Sequence, residues 1–390
     1  MKTVAVIFGS RSTEHDVSIV TALSSIIKPL ELSGRFAVEA VYIAKDGAWY
    51  WDNKLKDIAL YQSGGIEEFM RKAPKVHLLF DDGLTLVKSS QFAGRKMYKK
   101  IDLVFPATHG THGEDGELMS ILEMANVPYV GCGPEASVIA MDKVLAKQVT
   151  QADGIPTTPW IWFSADELSK TPSAVLAKIK GLKYPLFVKP AHLGSSIGIT
   201  RVTEEAQLMN ALEVAAHYDD RIIVEQGVSN LVEVTVPIIG NTELTTAYVE
   251  QPLAKSDEFF DFETKYMQGG KKGGKAGAKS GESGSQGYSK IPAEIPKDMY
   301  EESEELARAV YKSIGCSGIA RVDLLIDSMA KKVYFNEVNP LPGGLYAHNW
   351  RQKGIGNVSL VEKLVDLAEE RHAERKRFHT SFSTNYLKQF

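Results

Sequence analysis

Arg321-Val322-Asp323-Leu324-Leu325 and Asn336-Glu337-Val338-Asn339 are the stretches whose residue types and spacing bear most directly on chemistry. Both alternate polar and apolar side chains, as a strand with one covered face does. Arg321 and Asp323 then point to one side, and Glu337 and Asn339 share a side on the next strand. If the chain turns near residues 328–331, two carboxylates, an amide oxygen and a guanidinium converge. Hard oxygen donors of this kind suit Mg²⁺, held through one or two carboxylates together with substrate phosphates. Arg321 would balance charge developing on a transferred phosphoryl group or a tetrahedral centre. A salt-bridged surface hairpin would show the same pattern.

A second constellation is Lys189-Pro190-Ala191-His192-Leu193-Gly194-Ser195-Ser196-Ile197-Gly198. A lysine at a strand end can meet phosphate oxygens, and the Gly-Ser-Ser-x-Gly turn can wrap N–H and hydroxyl groups around them. The lysine precedes the glycines and no Gly-Lys-Ser/Thr occurs, so this is not a Walker A loop. An ordinary Gly-Ser hairpin is the plainer alternative. Downstream, the apolar strand ending at Glu225 could set backbone groups against an adenine edge, and Glu233 could bind ribose hydroxyls. Near the N-terminus, the loop from Gly9 to Ser18 carries Glu14, which could anchor an amine. His15 reads as a capping or packing residue, and Asp16 or Ser18 as a helix cap. His109, His112 and Glu114 look like metal ligands, but the glycines at 110, 113 and 116 favour a bent loop closely approaching a substrate.

These groups need elements to hold them. Residues 4–8 form an apolar run ending at Gly9, as a buried parallel strand does. A helix carrying Val17, Val20, Thr21 and Ser24 follows, then strands at 38–43 and 103–105 and a helix from Leu118 to Ala125. Alternating strands and helices predict a parallel, doubly wound α/β lobe. Residues 49–98 read as an insertion. Beyond Gly131 the pattern changes: a helix over 137–150, then strands near 186–189, 222–225, 231–238, 244–249, 319–327 and 333–338. Alternation in 231–238, 319–327 and 333–338 predicts α+β architecture with antiparallel sheet. Residues 269–287 are mostly Gly, Lys and Ser and cannot bury enough surface to fix a conformation. Residues 371–390 read as a charged helix end or tail.

The chain has 390 residues, enough for two or three domains, with 44% hydrophobic and 24% charged residues. A net charge of −4 gives no strong pull toward nucleic acid or an anionic membrane. Two cysteines, Cys132 and Cys316, are too few for a disulfide framework and read as core fillers. Residues 4–8 are too short for a secretory h-region, and no stretch has membrane-spanning length. The expectation is a cytoplasmic enzyme acting on small molecules.

The motifs Gly9-Ser-Arg-Ser-Thr-Glu14, His109-Gly … Gly113-Glu-Asp-Gly116, Met141-Asp-Lys143, Lys189-Pro … Gly198, Lys265-Tyr266, Arg321-Val-Asp323 and Asn336-Glu337-Val-Asn339 … Pro342-Gly343 occur in the order found in D-alanine–D-alanine ligases. The chain resembles that family, part of the ATP-grasp superfamily, from Val4 to about Leu367. The resemblance implies a three-lobed ATP-grasp fold: an N-terminal parallel α/β lobe (1–131), a central lobe (132–228) and a C-terminal lobe (229–390), with ATP between the last two. It implies ATP-dependent carboxylate–amine ligation through an acylphosphate, in cell-wall peptidoglycan synthesis, by a cytoplasmic homodimer. It assigns Glu14 to the first ammonium group, linked through Ser195 to Tyr266. Lys143, Lys189, Ser195 and Ser196 would meet ATP phosphates, Lys265 the γ-phosphate, and Glu225 and Glu233 the adenine and ribose. Asp323, Glu337 and Asn339 would hold two Mg²⁺ ions, with Mn²⁺ as a substitute. Arg321 and the Gly343 N–H would form an oxyanion hole.

The sequence leaves the family pattern after Gly343. His348 stands where a serine usually helps hold the second substrate's carboxylate, and Pro340 replaces a common threonine. His348 and Asn349 are therefore the candidate acceptor residues. Trp350 and Arg351 could line the same pocket, or be a packed Trp beside a solvated Arg. The segment after Tyr266 is also longer than the family's short closing loop. A D-alanyl-X ligase with a different acceptor, and a catalytically silent ATP-binding protein, are the competing readings.

Overall fold

A computed structural model describes residues 1–81, 83–89, 96–194, 196–253, 289–379 and 383–390. Strand β1 (Lys2–Gly9) lies between β2 (Phe36–Ile43) and β7 (Leu103–Pro106), parallel to both, and β3 (Trp49–Trp51) closes the edge antiparallel to β2. Alternate residues of β1 feed two cores: Val4, Val6 and Phe8 pack into one, Ala5 and Ile7 into the other. A strand covered on both faces must be apolar throughout, hence the uninterrupted run. The insertion is built around an antiparallel meander, β4 (Val76–Phe80), β5 (Leu84–Ser89) and β6 (Lys96–Ile101).

A second sheet joins β8 (Trp160–Ser164), β9 (Leu186–Pro190), β10 (Thr200–Val202) and β11 (Arg221–Gln226), antiparallel in the order β10-β9-β11-β8. A third joins β12 (Leu231–Gly240), β13 (Thr245–Thr246), β16 (Gly318–Asp327) and β17 (Lys332–Asn339) in the order β13-β12-β16-β17. A two-stranded ribbon, β14 (Gln251–Pro252) with β15 (Ser289–Lys290), lies beyond it. These are the mixed parallel and antiparallel sheets of the α/β and α+β expectation. One detail differs: β12 is buried continuously from Val234 to Gly240 instead of alternating. It is a central strand, with Val234, Val236 and Ile238 in a core shared with helix Lys297–Ile314, while Ile239 reaches the N-terminal core.

The cores do not follow chain order. Cys132, Ala136, Ala140, Ala146 and Ile155 pack with the third sheet, the second sheet has its own core from Phe163 to Val224, and Val144 meets Ala191 and Ile223 between them. The C-terminal helix Asn357–Arg375 returns to the N-terminal core, bringing Leu341, Leu345 and Trp350 with it. The helix expected over 137–150 is two helices, Pro134–Met141 and Lys143–Ala152. Asp142 breaks them: its backbone is extended, and its carboxylate accepts the Val144 and Leu145 N–H groups as an N-cap. Cys132 and Cys316 are buried and unbridged. No helix among the described residues is long and apolar enough to cross a membrane.

Candidate active site

The hairpin of β16 and β17 sets Arg321 opposite Asn339 and Asp323 opposite Glu337. The Arg321 fork donates to Asp323 through Nε–Oδ1 at 2.7 Å and Nη2–Oδ2 at 2.5 Å. Asn339 Nδ2 donates to Asp323 Oδ2 at 3.4 Å. Burial works against the guanidinium charge, but Asp323 outweighs it and holds the Arg321 pKa well above its usual value. Asp323, Glu337 and the Asn339 amide oxygen are hard donors on one sheet face, one strand apart, and this set fits a divalent cation. The register carries the row further: Thr235 on β12 faces Asp323, and Glu250 bridges to Thr235.

On the central sheet β9 delivers Lys189 and β11 delivers Glu225. Lys189 Nζ donates to Glu225 Oε1 at 3.0 Å, and Lys147 Nζ lies 3.1 Å from Glu225 Oε2. Lys147 is 0% exposed, and burial lowers its pKa. Burial alone would raise Glu225; the two lysines overcome it and bring the carboxyl down to about 2. Lys143 opens its helix with Nζ donating to the Leu193 carbonyl at 2.6 Å and lying 4.0 Å from Glu337. Burial lowers its pKa too, and an anion placed there would favour its charged form. Lys147, Lys189 and Glu225 thus form one network, and the seam between the second and third sheets is crossed twice, by Lys189 to Asn336 at 3.5 Å and by Lys143 to Glu337.

The loop after β9 is stapled by His192. Its Nδ1 is 2.9 Å from Asp219 Oδ1 and its Nε2 3.3 Å from Asp142, which also binds Arg221. Hydrogen bonds to Asp142 and Asp219 push the imidazole pKa up to about 10. The loop turns through Ser196, with φ 60°, and Gly198, with φ 71°. A Cβ at Gly198 would stand 2.7 Å from Pro190, so glycine is required there. Gly194 faces the N-terminal lobe: a Cβ on it would lie 3.4 Å from Glu14 Oε2. A cavity of about 80 Å³ opens at the crossover from β11 to β12, lined by Thr158, Pro159, Gln226, Val228 and Tyr334 among others.

In the N-terminal loops, Glu14 is nearly buried and close to Gly110. His15 is a packing residue, as expected: Nδ1 meets the Ser10 carbonyl at 2.6 Å, Nε2 the Tyr42 hydroxyl at 3.0 Å, and burial lowers its pKa. The cap expectation fails. Asp16 is exposed, and Ser18 instead accepts the Gly9 N–H and donates to the Ala107 carbonyl, both at 2.7 Å, tying β1 to β7. The metal-like set splits. His112 turns outward to Glu117, while His109 is buried, with Nδ1 3.6 Å from Glu114. Burial opposes charge on His109, but Glu114 and Glu14 outweigh it and raise its pKa.

After Gly343 the chain makes a left-handed turn: Gly344, Leu345 and Tyr346 have φ of 59°, 56° and 52°. Two of these are not glycine, at about 1–3 kcal/mol each. Leu345 is fully buried, which returns about 1.5–3 kcal/mol. The Tyr346 ring lies under Arg321, with Cζ 5.2 Å from its centroid. His348 packs against Tyr346 and binds Glu250 at 2.9 Å. Asn349, 0% exposed, donates to Glu250 at 3.0 Å and to the Tyr248 carbonyl at 2.9 Å. Burial works against the Glu250 charge, but His348 and Asn349 prevail and lower its pKa. Trp350 is fully buried, so it packs rather than lines a pocket.

The structure brings Arg321, Asp323, Glu337 and Asn339 together with Lys143 and Lys189, and sets Glu14 against the Gly194 loop. Glu233 is exposed farther along β12, opposite Leu325. Ser195, Lys265, Tyr266 and residues 269–287 lie outside the described residues. Sequence reasoning assigned no role to Lys147, Glu250, Thr235 or Tyr346. Lys147 follows Lys143 by four residues, so helical spacing signalled a shared face. Glu250 carried no such signal.

Buried lysines from a strand and a helix, set opposite a carboxylate–amide face, are the arrangement an ATP-grasp ligase has. The family model "D-ala D-ala ligase N-terminus" matches residues 3–132 and "D-ala D-ala ligase C-terminus" residues 149–366. The chain therefore belongs to the D-alanine–D-alanine ligase family. It is 36% identical over 394 residues to a D-alanine–D-alanine ligase of Acetivibrio thermocellus, covering 95% of this chain and 96% of that one. Among solved structures it is similar to the D-alanine–D-alanine ligase of Coxiella burnetii (TM-score 0.77, 25% identity, 96% of each chain). It is also similar to a D-Ala:D-Ser ligase of Enterococcus faecalis (TM-score 0.76, 31% identity, 94% of this chain and 99% of that one). The protein is an ATP-dependent ligase of a family that uses a divalent metal and small amino-acid substrates.

Proposed function

We propose that this ligase joins two D-alanine molecules for peptidoglycan synthesis. The carrying observation is the facing of Lys143 and Lys189 against the Arg321, Asp323, Glu337 and Asn339 face. In this reading Lys143, Lys189, Ser195, Ser196 and Lys265 bind the ATP phosphates. The base enters near the β11–β12 crossover, with Glu225 and Glu233 serving the adenine and ribose ends. Glu225 does so through the two lysines it orients. Asp323, Glu337 and Asn339 would hold two Mg²⁺ ions, replaceable by Mn²⁺, whose charge neutralises the phosphates. Glu14 holds the first ammonium group, linked through Ser195 to Tyr266. The first carboxylate attacks the γ-phosphorus and ADP leaves. The second amine, its ammonium proton released to solvent, attacks the acyl carbon, and phosphate leaves with a second N–H proton passing to it. Arg321 and the Gly343 N–H take up the oxyanion charge between these events.

His348 and Asn349 are assigned to the second amino acid. A second reading, D-alanyl-X ligation with another acceptor, is favoured by the His348–Glu250 pair at the family's serine position. Three working lobes, 1–131, 132–228 and 229–390, a cytoplasmic location and a homodimer complete the proposal, supported by the family resemblance. Sedimentation analysis checks the dimer. Phosphate release from ATP with Mg²⁺ tests the chemistry. Release with D-alanine alone supports the first reading, and release only with mixed pairs supports the second. Release with neither would leave a silent nucleotide-binding protein.

A further inference from the structure

The helix that begins beside Glu14 is not uniform. It is α-helical over His15–Val20, widens to π-helical turns over Thr21–Ile27, and resumes as Lys28–Ser33. Such widened turns cluster at functional sites because they redirect a side chain that a regular helix would bury elsewhere. Here the first residue of the widened segment is Thr21, itself buried. Its Oγ1 accepts the Gly344 N–H at 3.0 Å. The same oxygen is 2.9 Å from His109 Nε2. Beyond the imidazole stands Glu114, whose other oxygen accepts the Gly110 N–H at 2.7 Å.

A carboxylate, an imidazole and a hydroxyl are therefore in line, and the line ends on a backbone N–H. That N–H belongs to the first of the three left-handed residues. The far end of the same turn, Tyr346, carries Arg321 on its ring and reaches Thr235 with its hydroxyl at 3.5 Å. A turn that L-residues avoid persists only where its surroundings hold it. One clamp comes from the third sheet and the other from the N-terminal lobe. The N-terminal clamp sits on the helix that also presents Glu14.

We propose that Thr21 is a positioning residue: with His109 and Glu114 it holds the left-handed turn Gly344–Tyr346 against Arg321, tying the seat of the first amino acid to that of the second. The inference rests on the ligase reading above. Thr21 touches no reacting atom in it; it acts through the Gly344 backbone. A purely structural role for Thr21 would change folding stability and lower all kinetic constants together. A positioning role splits them.

The test uses the full chain with ATP, Mg²⁺ and the amino-acid pair that supports phosphate release, fitting separate constants for the two amino-acid sites. Thr21→Val removes the acceptor oxygen at nearly constant shape. The expected result is a roughly tenfold fall in kcat/KM for the second amino acid, as one buried N–H losing its partner produces. KM for ATP and for the first amino acid stay within about twofold, and Thr21→Ser restores the loss. The amides of residues 344–346 also exchange faster with deuterium in Thr21→Val. Should that variant not fold, Thr21→Cys, which offers only a weak acceptor, carries the same expectation. An unchanged second-site constant, or a uniform loss that Thr21→Ser does not repair, overturns the proposal. A wild-type chain that releases no phosphate with any pair overturns the ligase reading and this inference with it.

Discussion

On the side proposed to bind the nucleotide, Glu225 lies between Lys189 and Lys147, both on regular elements, β9 and the helix Lys143–Ala152. On the side proposed for the acceptor, Glu250 lies between His348 and Asn349, which follow a left-handed turn. Both are buried carboxylates held charged by close donors. The first pair of partners consists of two lysine amines one strand or one helix away. The second consists of an imidazole and an amide that arrive only because the chain folds back on itself. The nucleotide side is rigid by repetition of hydrogen bonds, and the acceptor side by a few specific contacts.

That contrast can be broken experimentally. The largest effect is expected from Glu225→Gln, which leaves Lys147 and Lys189 buried without their counter-ion. Removing one partner of a buried pair costs about 3–5 kcal/mol, so thermal or urea unfolding should show a large loss. The pH dependence follows from the depressed carboxyl. Its contribution is full above the ordinary value of 4.5 and is lost as pH falls through about 2. A wild-type acid-unfolding profile matching that of Glu225→Gln would count against the network.

Arg321→Met should reduce turnover by about 10²–10³-fold, as loss of an oxyanion donor does, with a smaller change in ATP affinity. Arg321→Lys should not restore it, because an ammonium cannot reproduce the fork on Asp323. Full activity in either variant would remove Arg321 from the reaction. His348→Ser should shift acceptor KM by about tenfold, the scale of one hydrogen bond to a charged group, while ATP KM holds. Acceptor preference identical to wild type would place the imidazole outside the second-substrate pocket.

His192→Asn should have the smallest effect, a few-fold rise in ATP KM through a looser loop. The folded imidazole titrates at about 10, above its ordinary 6.5, so its contribution is full below 6.5 and disappears as pH rises through about 10. The group is half exposed, and solvent screening keeps the effect on melting temperature small. A variant that melts in parallel with wild type from pH 7 to 11 would show that the staple contributes nothing.

The placement of Arg321, Asp323, Glu337, Asn339 and Lys189 was largely legible beforehand. Period-two alternation placed Arg321 with Asp323 and Glu337 with Asn339, and a strand end followed by glycines marked Lys189. The break at Asp142 was less legible, because a capping carboxylate inside an apolar helical pattern looks like one more surface residue. Continuous burial of β12 was missed because alternation records one covered face, and a central strand has two. Glu250 and Thr21 were invisible as site residues, since their partners lie 98 and 323 positions away in the chain.

Local periodicity, turn chemistry and motif order are properties of neighbouring residues, so the amino-acid sequence alone determined the sheet types, the lysine at the end of β9, the carboxylate–amide face and the ligase class. Tertiary structure decided which buried charges meet. Lys147 found Glu225, and His348 found Glu250. The left-handed turn after Gly343 was settled in the same way, between Thr21 and Arg321. A buried charge or a strained φ survives only where distant groups supply hydrogen bonds that water no longer can. Those groups are brought together by the packing of lobes, which no local pattern encodes.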